Sequence, residues 1–110
     1  MSKISTSVKV AEKLSQRIDL AVLKSGYGMR GKSRWIEEAL TAFFALSDFP
    51  QYVDIATEQT HFDKTLTFRT KATVAKQLDA AVITVRKAYP AVNAAKSNII
   101  RAALLQHLLR

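Results

Sequence analysis

Residues 66–74 read Leu-Thr-Phe-Arg-Thr-Lys-Ala-Thr-Val, and their apolar and polar side chains alternate with a period of two. This alternation is typical of a β-strand that buries one face and exposes the other. The face predicted to be buried comprises Leu66, Phe68, Thr70, Ala72 and Val74. The face predicted to point outward comprises Thr67, Arg69, Lys71 and Thr73.

A similar segment lies near the start of the chain. Residues 4–10 alternate in the same way, with Ser5, Ser7 and Lys9 predicted to point outward. Displacing the chain by 64 residues superposes residues 4–46 on 68–110 without a gap, and nine of the 43 aligned positions are identical. The identity is weak, but the apolar pattern keeps one phase throughout, so we interpret the chain as an internal repeat.

Each repeat continues with two segments of helical spacing separated by a loop. Apolar residues recur three or four positions apart after each strand, as expected for helices with one buried face. The first loop holds all three glycines, and the second holds Pro90, where Ala95 occupies the place of Gly31. Ser33 and Ser97 precede the second helical run of each repeat, and both are predicted to be N-caps.

Composition limits the classes of protein to which the chain can belong. Its 110 residues are 48% apolar, enough for one compact core, and it has no cysteine. The two histidines, His61 and His107, are far apart in the sequence. We therefore expect no disulfide, no metal site, no cofactor and no catalytic triad, and we expect the protein not to be an enzyme. Glu37 and Glu38 are interpreted as surface charge, and the aromatic residues of the second helix as core.

Positive charge is unevenly distributed along the chain. The net charge is +8, yet residues 46–63 contain four acidic residues and no Lys or Arg. Two basic regions thus flank an acidic connector. A surplus of positive charge favours a polyanionic partner such as nucleic acid.

These features predict a mainly α-helical fold with one two-stranded antiparallel ribbon. A lone strand cannot satisfy its backbone hydrogen bonds, so the two strands are expected to pair over four helices in one joint core. The predicted units are residues 1–46, the acidic connector 47–64, and residues 65–110. The outward ribbon face would carry hydroxyls and cations, and a two-stranded ribbon fits the major groove of DNA.

The order of strand, helix, loop and helix resembles the ribbon-helix-helix superfamily of MetJ and Arc, in two copies. The motifs that carry the resemblance are VKVAEKL at residues 8–14 and GKSRWIEEAL at 31–40. Because both units lie in one chain, forming an intramolecular pseudo-dimer, the protein is similar to the fused, TraY-type DNA-binding proteins of conjugation.

The resemblance implies roles for twelve residues. Outward strand side chains read bases in the family, which implies this role for Ser5, Ser7, Lys9, Arg69, Lys71 and Thr73. The start of the second helix binds phosphate in the family, which implies this role for Lys32, Ser33, Arg34, Lys96, Ser97 and Asn98. Since Ser-Ser-Lys would then lie beside Arg-Lys-Thr, we expect a DNA site without inverted symmetry.

The expected function is sequence-specific binding of double-stranded DNA, as a transcriptional repressor or as an accessory factor of a plasmid relaxosome. Further copies on adjacent sites and a relaxase are the additional partners expected, and no membrane is expected. The expected location is the bacterial cytoplasm, with the nucleoid or a plasmid. The alternatives are an antitoxin, which would need a toxin-binding segment outside the fold, and a protein–protein adaptor.

Overall fold

The computed structural model describes residues 3–28, 31–56 and 62–109. The fold is mainly helical, with one two-stranded sheet. In chain order the elements are β1 (Ile4–Val10), α1 (Glu12–Ser25), α2 (Lys32–Phe44), α3 (Phe49–Ala56), β2 (Lys64–Thr70), α4 (Ala72–Ala88) and α5 (Ala95–Leu108). None of the helices within the described part of the chain combines the length and apolar character needed to cross a bilayer.

The two strands pair antiparallel, as predicted. Ser7 lies opposite Thr67 at the centre of the ribbon, and the register places Ser5 opposite Arg69 and Lys9 opposite Thr65. One face of the ribbon lies on the core, where Val8, Val10, Leu66, Phe68 and Thr70 are buried. The alternation of apolar and polar side chains therefore predicts correctly which way each strand residue faces.

The predicted extent of the second strand was wrong. β2 covers Lys64–Thr70 instead of 66–74, Lys71 is the N-cap residue of α4, and Thr73 lies within that helix. The two repeats are therefore displaced by 60 residues in their strands, since Ile4–Val10 corresponds to Lys64–Thr70, although α2 and α5 agree closely with 64. The difference is absorbed by α4, which has 17 residues where α1 has 14.

The predicted N-caps were also wrong. The residues before α2 and α5 are Gly31 and Ala94, and neither helix start has a side-chain capping hydrogen bond. Ser33 lies inside α2, where its hydroxyl accepts a hydrogen bond from the backbone N–H of Arg69 at 3.0 Å. The hydroxyl is thus used to hold a strand, and it does not cap its own helix.

The core is centred on α5, which packs against β1, α1, α2, α3 and α4. A helix surrounded on so many sides is buried around its circumference. Six apolar residues of its first three turns are buried: Ala95, Ile99, Ile100, Ala102, Ala103 and Leu104. The predicted core role of the aromatic residues of α2 is confirmed, because Trp35 and Phe43 are buried and Phe44 packs against the core.

The connector forms α3 and then returns to the ribbon. The rings of Phe49 and Tyr52 pack against Phe43, with ring centroids 5.5 and 6.4 Å away. Beyond α3, the carboxylate of Asp63 accepts a hydrogen bond from the backbone N–H of Glu12 at 3.1 Å. An acidic residue of the connector therefore satisfies a free amide in the first turn of α1.

Candidate nucleic-acid interface

The exposed face of the ribbon carries six side chains in three cross-strand pairs. From one end to the other the pairs are Ser5 with Arg69, Ser7 with Thr67, and Lys9 with Thr65. All six are exposed, and within the two strands, which are described in full, this face holds only hydroxyls and cations. Such side chains donate hydrogen bonds to base edges, and Arg and Lys also pair with phosphate.

The structure brings four of the six expected base-reading residues onto this face: Ser5, Ser7, Lys9 and Arg69. Lys71 and Thr73 are exposed too, but they lie beyond the end of the strand. Thr65 and Thr67 occupy the positions that the gapless repeat assigned to Lys71 and Thr73. Comparing the two strands at a displacement of 60 residues would have found them, because it superposes Ser5 on Thr65 and Ser7 on Thr67.

The centre of the face is held by a side-chain contact. The hydroxyls of Ser7 and Thr67 lie 3.0 Å apart and share a hydrogen bond. A hydroxyl has one donor and two acceptor lone pairs, so each of these groups keeps hydrogen-bonding capacity for a ligand. The centre of the ribbon is therefore polar and small, and the two cations stand at opposite ends.

One edge of the ribbon is bound to α2, and we call this side the α2 flank. Besides the Ser33 hydroxyl at Arg69, the Glu37 carboxylate accepts a hydrogen bond from the backbone N–H of Lys71 at 2.8 Å. A cleft of about 260 Å³ opens here, and its lining includes four cationic side chains. They are Lys3, Arg34, Arg69 and Lys71.

The expected phosphate contacts of α2 lie at this flank in different states. Lys32 forms an ion pair with Asp19 at 3.1 Å, and both side chains are partly exposed. The Arg34 guanidinium lies 4.2 Å from the centroid of the Tyr27 ring and 3.4 Å from the Glu38 carboxylate. The Tyr27 hydroxyl also donates to Glu38, and this hydrogen bond is the main cause that raises the pKa of Tyr27.

The other edge of the ribbon is bound to α5, and we call this side the α5 flank. Arg101 donates a hydrogen bond to the backbone carbonyl of Lys9 and another to the side-chain carbonyl of Asn98, each at 2.7 Å. Its guanidinium also lies 3.9 Å from the centroid of the Phe62 ring. Only 4% of Arg101 is exposed, and this burial lowers the pKa of its guanidinium.

The expected phosphate contacts of α5 are only partly available. Asn98 is buried, and its amide N–H₂ donates to the backbone carbonyl of Asn93 at 2.8 Å while its carbonyl binds Arg101. Asn98 thus supports Arg101 and is not exposed to a ligand, contrary to expectation. Lys96 is exposed, and Ser97 borders a cleft of about 470 Å³ next to the ribbon.

No group of three His, Cys, Asp or Glu side chains in the described ranges is arranged as metal ligands would be. His61 lies outside those ranges. The ring of His107 packs edge-on against Trp35, with centroids 4.8 Å apart, which places it at the α2–α5 contact. The expectation that Glu37 and Glu38 face away from the core is consistent with their hydrogen bonds to Lys71 and Tyr27.

Nothing matches this chain in comparisons with protein-family profiles, with curated proteins or with solved structures. Its function is therefore inferred from its own residues: a narrow antiparallel ribbon, acid-free on its exposed face, with a cleft on either side.

Proposed function

We propose that this protein binds double-stranded DNA in a sequence-specific manner, by inserting the exposed face of its ribbon into the major groove. The observation that carries the proposal is the set of six ribbon side chains, all of them hydroxyls or cations. A two-stranded ribbon is narrow enough for a groove about 12 Å wide. Arg and Lys pair with guanine edges there, and Ser and Thr pair with either kind of base.

The two flanks supply the contacts that hold the ribbon in place on DNA. Phosphate contacts set the orientation of a protein on the duplex, whereas base contacts give specificity. Lys71, Arg34 and Lys3 surround the cleft of the α2 flank, and Lys96 is exposed on the first turn of α5. In the proposed complex, these side chains and the free amides of the two helix starts face the DNA backbones.

We further propose that the chain is a tandem member of the ribbon-helix-helix superfamily. Both strands are followed by two helices, and they pair with each other within one polypeptide. The two units form an intramolecular pseudo-dimer in this proposal, with α3 as the connection between them. The proposed role is that of a repressor or a relaxosome accessory factor, without a catalytic step.

Binding of duplex DNA by the full chain tests the proposal. Fluorescence anisotropy with duplexes from the DNA that flanks the gene should detect binding, and a footprint there would separate a promoter from a transfer origin. If about five phosphates are neutralised, log K should fall against log salt with a slope of about −4 to −5. Lys24→Ala is the matched control, because Lys24 is exposed in the last turn of α1, far along the helix from the ribbon.

Arg69→Ala should weaken binding to the preferred site by about ten-fold or more, while Lys24→Ala should have little effect. The reason is that only Arg69 contacts a base edge in the proposed complex. Absence of duplex binding, or equal loss in the two variants, would overturn the proposed function.

A further inference from the structure

The exposed face of the ribbon is chemically alike when it is turned end for end. The register pairs Ser7 with Thr67, so a half-turn about this central pair exchanges residue 5 with 65, 7 with 67, and 9 with 69. Ser5 thus exchanges with Thr65, and Lys9 exchanges with Arg69. Both strands present hydroxyl, hydroxyl and cation in the same order.

From this symmetry we infer that the preferred DNA site is an approximate inverted repeat with a guanine under each of the two cations. The inference rests on the proposed function and names the class of DNA that the ribbon recognises. It replaces the expectation of a site without inverted symmetry, whose premise was the incorrect pairing of Ser-Ser-Lys with Arg-Lys-Thr. Because Lys9 and Arg69 are exchanged by the half-turn, their guanines lie on opposite DNA strands.

The spacing of the guanines follows from the register. Lys9 lies opposite Thr65, and Arg69 lies opposite Ser5, so the two cations are four residues apart along the ribbon. At about 3.4 Å per residue this distance is about 14 Å. Base pairs of B-DNA repeat about every 3.4 Å along the axis, so the two guanines are about four base-pair steps apart.

Both cations are fixed to the body of the protein at their backbones. The Lys9 carbonyl accepts from Arg101 on the α5 flank, and the Arg69 N–H donates to Ser33 on the α2 flank. Neither end of the ribbon is therefore free to move independently of the helices. Anchored donors lose less conformational entropy on binding, so each end can discriminate between bases.

The two ends differ in strength. Arg offers a planar pair of donors that matches the O6 and N7 acceptors of guanine, whereas Lys is a flexible point charge. The guanine under Arg69 should therefore be selected more strictly than the guanine under Lys9. The inverted repeat is expected to be imperfect for this reason.

Selection of binding sites from random duplex DNA with the full chain tests the inference. The expected result is an enriched site with guanines on opposite strands about four steps apart, one enriched more strongly than the other. Lys9→Arg should raise the preference at the weaker end several-fold. Arg69→Lys should lower it at the stronger end, and Lys24→Ala should leave both preferences unchanged.

Three results would overturn the inference. They are an enriched site without inverted symmetry, an enriched direct repeat, and a site in which neither variant changes a guanine preference. Each of these results includes binding to DNA, so the proposed function would survive it. Failure to enrich any duplex, with no binding in anisotropy, would overturn the proposed function and the inference together.

Discussion

On the α2 flank, Ser33 and Glu37 accept hydrogen bonds from the backbone of β2, whereas on the α5 flank Arg101 donates one to the backbone of β1. Glu37 and Arg101 occupy corresponding places in their helices, 64 residues apart. The acceptors on the α2 flank are near solvent, while Arg101 is 4% exposed beneath Phe62. Opposite chemistry thus makes the same connection between a strand and a second helix.

The difference shows how burial decides the cost of losing a connection. Water can replace a hydrogen bond near the surface, but a buried group that loses its partner keeps the penalty of desolvation. The α5 flank should therefore carry more of the free energy of unfolding than the α2 flank. Substitutions on both flanks can break or sharpen this contrast.

Arg101→Ala should have the largest effect, a loss of about 3 kcal/mol in the free energy of unfolding. It leaves the Lys9 carbonyl and the Asn98 side-chain carbonyl without their donor, each at about 1–3 kcal/mol, and it removes the contact with Phe62. Urea unfolding followed by circular dichroism measures the change. Arg86→Ala, at an exposed position in the last turn of α4, is the control and should stay within about 0.5 kcal/mol. Equal losses in the two variants would show that the flanks do not differ as proposed.

Gly31→Ala probes the start of the second helix on the α2 flank. A Cβ at Gly31 would overlap the Cβ and backbone of Tyr27, so the loop or the helix would have to shift. Overpacking of this kind costs about 1–3 kcal/mol, and we expect a loss of about 2 kcal/mol in thermal or urea unfolding. Thr41→Ala, exposed on the same helix, should leave stability within about 0.5 kcal/mol. A Gly31→Ala variant as stable as Thr41→Ala would contradict the close approach.

The direction of each strand side chain was predictable from the sequence, but the register of the repeat was not. A displacement of four residues preserves the period of two in a strand, and it is close to the 3.6-residue turn of a helix. Displacements of 60 and 64 residues therefore give nearly the same apolar pattern. The gapless superposition matched Leu14 with Leu78, whereas the displacement that aligns the strands matches Leu14 with Val74, and both are buried in α4.

The candidate site could be predicted only where it depends on alternation. Ser5, Ser7, Lys9 and Arg69 point outward, as the period of two indicates. The backbone contacts of Ser33, Glu37 and Arg101 depend on how helices cross the ribbon, which a local pattern does not specify. Burial of Asn98 follows from its contact with Arg101, between residues three apart on one helix, and its polar character gave no sign of this.

Ser33→Ala and Glu37→Ala test the weaker connection. Each removes one acceptor from a backbone N–H that water can reach, so we expect a loss of about 0.5–1 kcal/mol per variant. Amide hydrogen exchange should quicken at Arg69 in the first variant and at Lys71 in the second. Glu37→Gln keeps a carbonyl acceptor and should retain most of the protection. Losses as large as that of Arg101→Ala would remove the contrast between the flanks.

Ala94→Gly should have the smallest effect, and it should stabilise the protein. Ala94 precedes α5 with φ 50° and ψ 49°, a left-handed conformation that costs a residue with a Cβ about 1–2 kcal/mol. Glycine adopts it freely but has more conformational entropy to lose on folding, so the net gain should be about 0.5 kcal/mol. Urea unfolding beside Ala91→Gly, an exposed position in the same loop, separates relief of strain from the general cost of glycine. If both variants lose stability equally, the left-handed residue is not strained. A gain only at Ala94 would show that the loop before α5 tolerates strain which the glycine-rich loop before α2 avoids.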